Sequence, residues 1–306
     1  VQMAKAAKMS IAWLCEHQAE FQIEQSEALA RQRGDWMPWS IKPVGELMFL
    51  ILALQRNGVE GRQTNVLKNF VRSEIEQFQW HALSAYDPSS ATPLAMIFDF
   101  FSINKWRVPF EIEHFARLHK SGYFDGMDRV PYRTMDLNYS LWRMGLEPDF
   151  STVSREFSET SFGLGVPIAR YSIDDIYSLT HALFYLTDLG QKPLEGVIDA
   201  HTHTRLRREL LALTTVMVRA DNVDVLGELL INWLFVGVAP KRADKVEWAI
   251  FNAGLERVLN AVTPSGAVAS TRRGYARSRE GKAAFHEIYH TTLVAAMLFS
   301  LVRAAQ

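Results

Sequence analysis

A polar pair, an apolar run and a closing glycine recur along this chain, and that repeat limits the folds open to it more than any compositional figure. In DIYSLTHALFYLTDLG, Tyr177 and His181 stand four residues apart, and Gly190 follows nine residues after the histidine. YRTMDLNYSLWRMG sets Tyr132, Asp136 and Gly145 at the same spacings, and DVLGELLINWLFVG does so with Asp224, Glu228 and Gly237. HEIYHTTLVAAMLF offers His286 and His290, with Phe299 in the place of the glycine. GELMFLILALQRNG adds Glu46 with its closing glycine displaced. Residues four apart share one face of a helix. Each segment therefore reads as a helix with a polar pair at its head and an apolar body. Burying such pairs costs several kcal/mol unless they meet partners, so they are expected to face one another, a metal, water or a substrate.

Between these segments the apolar period stays helical and no strand alternation appears. Helices are expected over 2–20, 44–54, 64–85, the LAMIFDFFSI segment behind Pro93, 111–121, 130–144, from 173, 205–218, 223–236, 243–262 and 283–304, ten or eleven in all. The GDWMPWSIKP stretch, with Trp36 and Trp39, reads as a break, and 145–172 as a loop. Gly-containing turns such as LQRNG, WRMGLEP, LTDLGQKP and FVGVAPK would reverse the chain between helices. Helical hairpins repeating every 45 to 60 residues or so indicate a closed ring or a solenoid. The expectation is an all-α protein, an α/α toroid forming a single domain over 1–306, with an irregular helical bundle as the alternative.

The 306 residues are 48% hydrophobic, enough for a large core, and a formal net charge of −1 exerts no general pull on nucleic acid or anionic membrane. The single cysteine, Cys15, excludes an internal disulfide and a cysteine-based zinc site, and its apolar helical setting marks it as a small buried hydrophobe. No signal-peptide cleavage pattern is present, and the apolar run 293–302 is shorter than a bilayer crossing and is followed by Arg303. These features lead to the expectation of a soluble cytoplasmic protein.

If the heads of the helices meet, His181, His290, Asp136, Glu228 and Tyr177 are the catalytic candidates and Tyr132, Glu46 and Asp188 the substrate-binding ones. Imidazoles with carboxylates also form a ligand set for zinc or iron, here His181, Glu228, His286 and His290. Without metal the same groups serve as general acid and base. The competing reading is that the polar residues pair off and fix inter-helix registry. Asp188 could equally cap the loop that follows it.

Two local motifs say less than they spell. HEIYH has the form of a zinc-protease helix, but no His, Asp or Glu follows it to supply a third ligand. VIDAHTH resembles an amidohydrolase opening strand, but only helices follow it, and Thr202 or Thr204 would cap one of them. The basic stretch TRRGYARSREGK reads as a solvated loop, with closure over an anionic substrate as its functional alternative. GLG at 163–165 lacks the spacing and the preceding strand of a nucleotide site.

THALFYLTDLG and YHTTLVAAM resemble motifs of an uncharacterised, largely actinobacterial family of all-helical proteins, some of whose members lie near natural-product gene clusters. The likeness covers about 170–300, and the matching positions are His181 and Asp188, then Tyr289 and His290. At the level of fold the chain looks like the α/α toroids of lanthionine cyclases and the terpene cyclase-type barrels, although it lacks the cysteine ligands of the former and the DDxxD motif of the latter. The resemblance implies no established reaction, but it adds Tyr289 to the substrate-binding candidates. The polar heads themselves lead to the expectation of an enzyme of specialised metabolism performing acid–base lyase, cyclase or hydrolase chemistry, in a metal-assisted or a metal-free version, on a small molecule or peptide. A non-catalytic peptide- or protein-binding module is the alternative. Neither a nucleotide cofactor nor a nucleic-acid or membrane partner is expected.

Overall fold

The computed structural model describes residues 2–24, 41–77, 90–237 and 244–305. The break at Trp36 and Trp39, the end of the helix expected to reach Ala85, and the last residues of the FVGVAPK turn lie outside the described residues. Among those described, thirteen α-helices occur: α1 (Gln2–Glu16), α2 (Lys42–Arg56), α3 (Arg62–Gln77), α4 (Ala91–Ile103), α5 (Ile112–Lys120), α6 (Pro131–Arg143), α7 (Ser151–Ser158), α8 (Ile173–Leu186), α9 (Ala200–Arg219), α10 (Val223–Phe235), α11 (Lys245–Leu259), α12 (Arg272–Arg279) and α13 (Phe285–Ala305). The all-helical reading holds, and the only β pairing among the described residues is two isolated bridges. The count exceeds the expected ten or eleven because α7 and α12 form inside stretches read as loops, each short and polar, with too little apolar period to register.

Local chemistry sets where the key helices begin. Ser172 and Asp175 form a reciprocal capping box at the start of α8, satisfying two of the backbone donors left over at a helix N-terminus. Asn222 caps α10 through Val225 N–H, and Pro131 opens α6, where its missing donor costs nothing. The cap of α9 is Asp199, which accepts from Thr202 N–H, so neither Thr202 nor Thr204 is the capping residue.

Six of these helices pack in cyclic order: α2 on α4, α4 on α6, α6 on α8, α8 on α10, α10 on α13, and α13 back on α2. The others lie outside this ring, α1 against α13 and α3, α3 against α2, α7 against α6, and α9 and α11 against α10. Helix α13 is long and apolar enough to cross a membrane by length and composition, a point the ten-residue apolar run had concealed, but it is mostly buried between α1, α2 and α10. The ring is not hollow. Phe49 of α2 meets Phe184 of α8 across it, ring centroids 5.7 Å apart, Phe184 also touches Phe235 at 5.9 Å, and a cavity of about 70 Å³ lies beside Phe49, Thr92, Met96, Asp136, Tyr139 and Tyr185. At that level the expected central cavity is occupied by side chains.

The ring helices run in one direction, since residues near their N-termini meet at one end and residues near their C-termini at the other. At the C-terminal end Arg56 and Arg143, the last residues of α2 and α6, face two buried carboxylates. Arg56 donates to Asp188 Oδ1 at 2.7 Å, to the Tyr139 hydroxyl at 2.7 Å and to Asp99. Arg143 lies 2.5 Å from Asp99 Oδ1 and 3.6 Å from Asp188 Oδ2, so all four carboxylate oxygens are matched. Cations at helix C-termini also oppose the helix dipole favourably. Asp188 therefore belongs to a structural lock, and its assignment to the substrate site is corrected: at 1.5 Å per residue it stands about 10 Å along the axis from His181. The lock depends on a tight turn, Asp188, Leu189 and Gly190 all being left-handed with φ of 47°, 55° and 86°.

Candidate functional site

The opposite end of the ring gathers the repeated polar heads, and α10 supplies its floor. Asp224 and Glu228 lie one turn apart near the start of that helix, where the positive end of the helix dipole favours carboxylates. Both are deeply buried, their side chains 6% and 3% exposed, whereas His290 and His181 above them are 35% and 32% exposed. The arrangement is a dish with acidic groups at the bottom and imidazoles at the rim. Gly227 makes it possible: a Cβ there would stand 2.6 Å from Val294 Cγ1, so α10 and α13 approach closely enough for His290 to reach both carboxylates.

Each carboxylate is held by one oxygen. The Tyr177 hydroxyl donates to Asp224 Oδ2 at 2.7 Å, and Thr180 Oγ1 donates to Glu228 Oε2 at 2.5 Å. Glu228 lies between the two histidines, with Oε1 3.5 Å from His290 Nε2 and Oε2 3.8 Å from His181 Nδ1. His290 Nε2 is also 3.5 Å from Asp224 Oδ2, and its Nδ1 is 3.1 Å from Glu46 Oε2. Glu46 accepts a hydrogen bond from Tyr289 and sits 3.7 Å from Lys42. His181 Nδ1 donates to the Tyr177 carbonyl at 2.8 Å, an i−4 bond that fixes the ring and makes Nε2 the lone-pair nitrogen of the neutral tautomer. Three polar atoms in this cluster are buried without a well-formed hydrogen bond: Asp224 Oδ1, Glu46 Oε2 and His290 Nδ1.

These placements pull the acids apart. Burial raises Asp224 above the usual carboxylate range and neighbouring Glu228 pushes it the same way, against the pull of His290. Burial would raise Glu228 too, but His181, His290 and the Thr180 hydroxyl outweigh it and hold it low. Two carboxylates sharing a site with one ionised and one disposed to keep a proton is an acid–base arrangement. His290 is driven well above the ordinary imidazole value: burial opposes this, but Glu46, Asp224 and Glu228 overcome it. The hydroxyls of Tyr177 and Tyr289 are pushed up by burial and then by their carboxylate neighbours, so both act as donors.

Of the residues expected here, His181, Tyr177, Glu228, His290, Glu46 and Tyr289 come together. Tyr132 stands beside them, its ring 6.4 Å from that of His181. Asp136 is more remote, buried under Arg133 at 3.5 Å, hydrogen-bonded to Tyr185 and Thr92, and raised by burial. His286 is corrected: it is exposed in the first turn of α13, above the rim, and takes no part in the His290 cluster. Neighbouring Glu287 turns outward to Arg277 at 2.9 Å, which disposes of the HEIYH motif. The expected metal set is corrected in the same way, because the three residues whose ligand atoms lie within 4.8 Å of one another are Asp224, Glu228 and His290, without His181 or His286. Sequence reading missed Thr180 and Gly227, whose roles carry no signal until two helices are placed side by side. Cys15, expected to be buried, is half-buried, with its thiol pushed up to about 11 by burial and by Glu16.

Residues 7–299 match the model of a family described as Domain of unknown function (DUF6895). No curated protein and no solved structure matches the chain.

Proposed function

Since the chain belongs to the DUF6895 family over almost its whole length, and that family carries no assigned function, the activity has to be read from the site, and we propose that the dish is the active centre of an enzyme performing proton-transfer chemistry on a small molecule or peptide. His181 serves as the base through Nε2. The His290–carboxylate group opposite serves as the electrophilic side, Glu228 couples the two, and Tyr177 holds Asp224 in place. Lyase, cyclase and hydrolase steps all fit this division of roles. The observation that carries the reading is Glu228 lying between two imidazoles of different surroundings at a solvent-facing rim.

The contrast between the two ends of the ring favours a site over mere registry. At the lock every carboxylate oxygen has a cationic or hydroxyl partner and the polar atom left over is Arg143 Nε, whereas at the dish a carboxylate oxygen, Asp224 Oδ1, is left over and Glu46 Oε2 and His290 Nδ1 face each other at 3.1 Å without a well-formed hydrogen bond. Buried groups left unmatched cost about 1–3 kcal/mol each, a cost natural sequences retain where a ligand or reaction uses them. A role in specialised metabolism is supported by the motif resemblance at His181 and His290, and cytoplasmic location by composition.

The test is to incubate the protein with a metabolite extract in deuterated water and follow the compounds by mass spectrometry. A compound should be converted with deuterium incorporated, conversion should fall at least about a hundredfold in His181→Ala, the scale of a lost general base, and His286→Ala should match the parent. Conversion that survives in His181→Ala would remove the base from the mechanism.

A further inference from the structure

We propose that Asp224, Glu228 and His290 bind one divalent first-row transition-metal ion, of the manganese, iron or zinc kind, open on its outer side to the rim of the dish. This rests on the active-centre reading above and names the electrophile of that centre. The ligand atoms lie within 4.8 Å of one another, a span that an ion with bonds of about 2.0–2.2 Å bridges after a small inward shift.

An acidic cluster alone would not carry this. The independent observation is that Asp224, its side chain 94% buried, has Oδ1 without a well-formed hydrogen bond among the described residues, with the Thr291 hydroxyl beside the carboxylate, while Tyr177 occupies Oδ2. Glu228 follows the same plan: Thr180 holds Oε2, and Oε1 faces His290 Nε2. Glu228 is thus oriented by a hydroxyl through one oxygen and turns the other toward His290, whereas Asp224 faces His290 Nε2 at 3.5 Å through Oδ2, which keeps a second lone pair beside its bond from Tyr177. His290 completes the pattern. Its Nε2 points at the two carboxylates, and its Nδ1 stands 3.1 Å from Glu46 Oε2, the carboxylate–histidine arrangement that orients a metal-binding imidazole and raises its basicity. Neutral His290 with two carboxylates carries a charge of −2, which a divalent ion cancels. An imidazole in the set disfavours magnesium and calcium, which prefer all-oxygen surroundings. Three protein ligands, with the third on the partly exposed His290, leave coordination positions for a substrate or water, as in catalytic rather than structural sites.

The test uses the full chain, purified without an affinity tag and dialysed against a chelator. Equilibrium dialysis against manganese(II) or zinc(II), read by elemental analysis, should give one saturable ion per chain. Asp224→Asn and Glu228→Gln should each weaken binding more than tenfold, and Glu46→Gln about tenfold, the scale of losing the group that orients a ligand. His286→Ala should bind as the parent does. Added ion should raise the melting temperature of the parent and leave that of Asp224→Asn unchanged, a readout that does not need the variant's affinity. No saturable ion in the folded parent, or equal binding by the parent and both carboxylate variants, overturns the proposal. Its failure is distinguishable from that of the active-centre reading: His181-dependent conversion persisting in metal-free protein discards the ion and keeps the centre.

Discussion

Replacing Arg56 with methionine tests the lock that closes the C-terminal end of the ring. Methionine keeps most of the length of the arginine stem but removes the charge and every donor. The side chain is 5% exposed, so water cannot take over the lost bonds to Asp188, Asp99 and Tyr139. Arg143 remains, 2.5 Å from Asp99 but 3.6 Å from Asp188, and one guanidinium cannot neutralise two carboxylates. Removing one partner of a buried pair costs about 3–5 kcal/mol because the other is left buried and uncompensated. We expect a loss in that range, with a fall in melting temperature on the order of 10 °C. Urea unfolding followed by tryptophan fluorescence measures it, and an unchanged slope with denaturant shows that the unfolded state is unaltered. A second variant isolates the cause. Asp188→Asn keeps a residue that tolerates the left-handed φ of 47°, and in the Arg56→Met background it removes the stranded charge, so about 1–3 kcal/mol should return. A loss below about 1 kcal/mol in Arg56→Met would refute the reasoning, as would Asp188→Asn having the same effect in both backgrounds.

Gly190→Ala should cost about 2–4 kcal/mol in the same urea assay, because φ is 86° and the new Cβ would stand 2.5 Å from Phe235 Cδ1, combining backbone strain with overpacking. The His290 pairing gives a pH signature in metal-free protein. Facing Glu46 on α2 and Asp224 and Glu228 on α10, His290 is raised, so its contribution is complete below its unfolded value of 6.5 and is lost as pH rises through the folded one. Glu46, lowered by His290 and Lys42 against the effect of burial, contributes above its unfolded value of 4.5 and loses that contribution as pH falls. The stability difference between the parent and Glu46→Gln should therefore be largest from about pH 5 to 6.5 and shrink on either side. A difference independent of pH would show that the pair is not formed.

Much of this was written locally. The apolar period, the Ser172–Asp175 box, Pro131 and the closing Gly145 and Gly190 are settled by neighbours in the chain, so helix type and direction reversals could be read without a fold. The polar heads were legible for the same reason, a spacing of four being one face of one helix. What spacing could not decide is how far along its axis each helix sits against the next. His286 and His290 share a face, yet one turn of rise puts the first above the rim and the second between Glu46 and Glu228. Asp136 and Asp188 both belong to segments with a polar head and an apolar body, yet Asp188, in the left-handed turn after α8, falls at the far end and joins Arg56. The ligand set likewise awaited the approach of α10 and α13 at Gly227, because which carboxylate reaches which imidazole is fixed by contacts between helices, where a shift of a few ångströms makes or loses a bond.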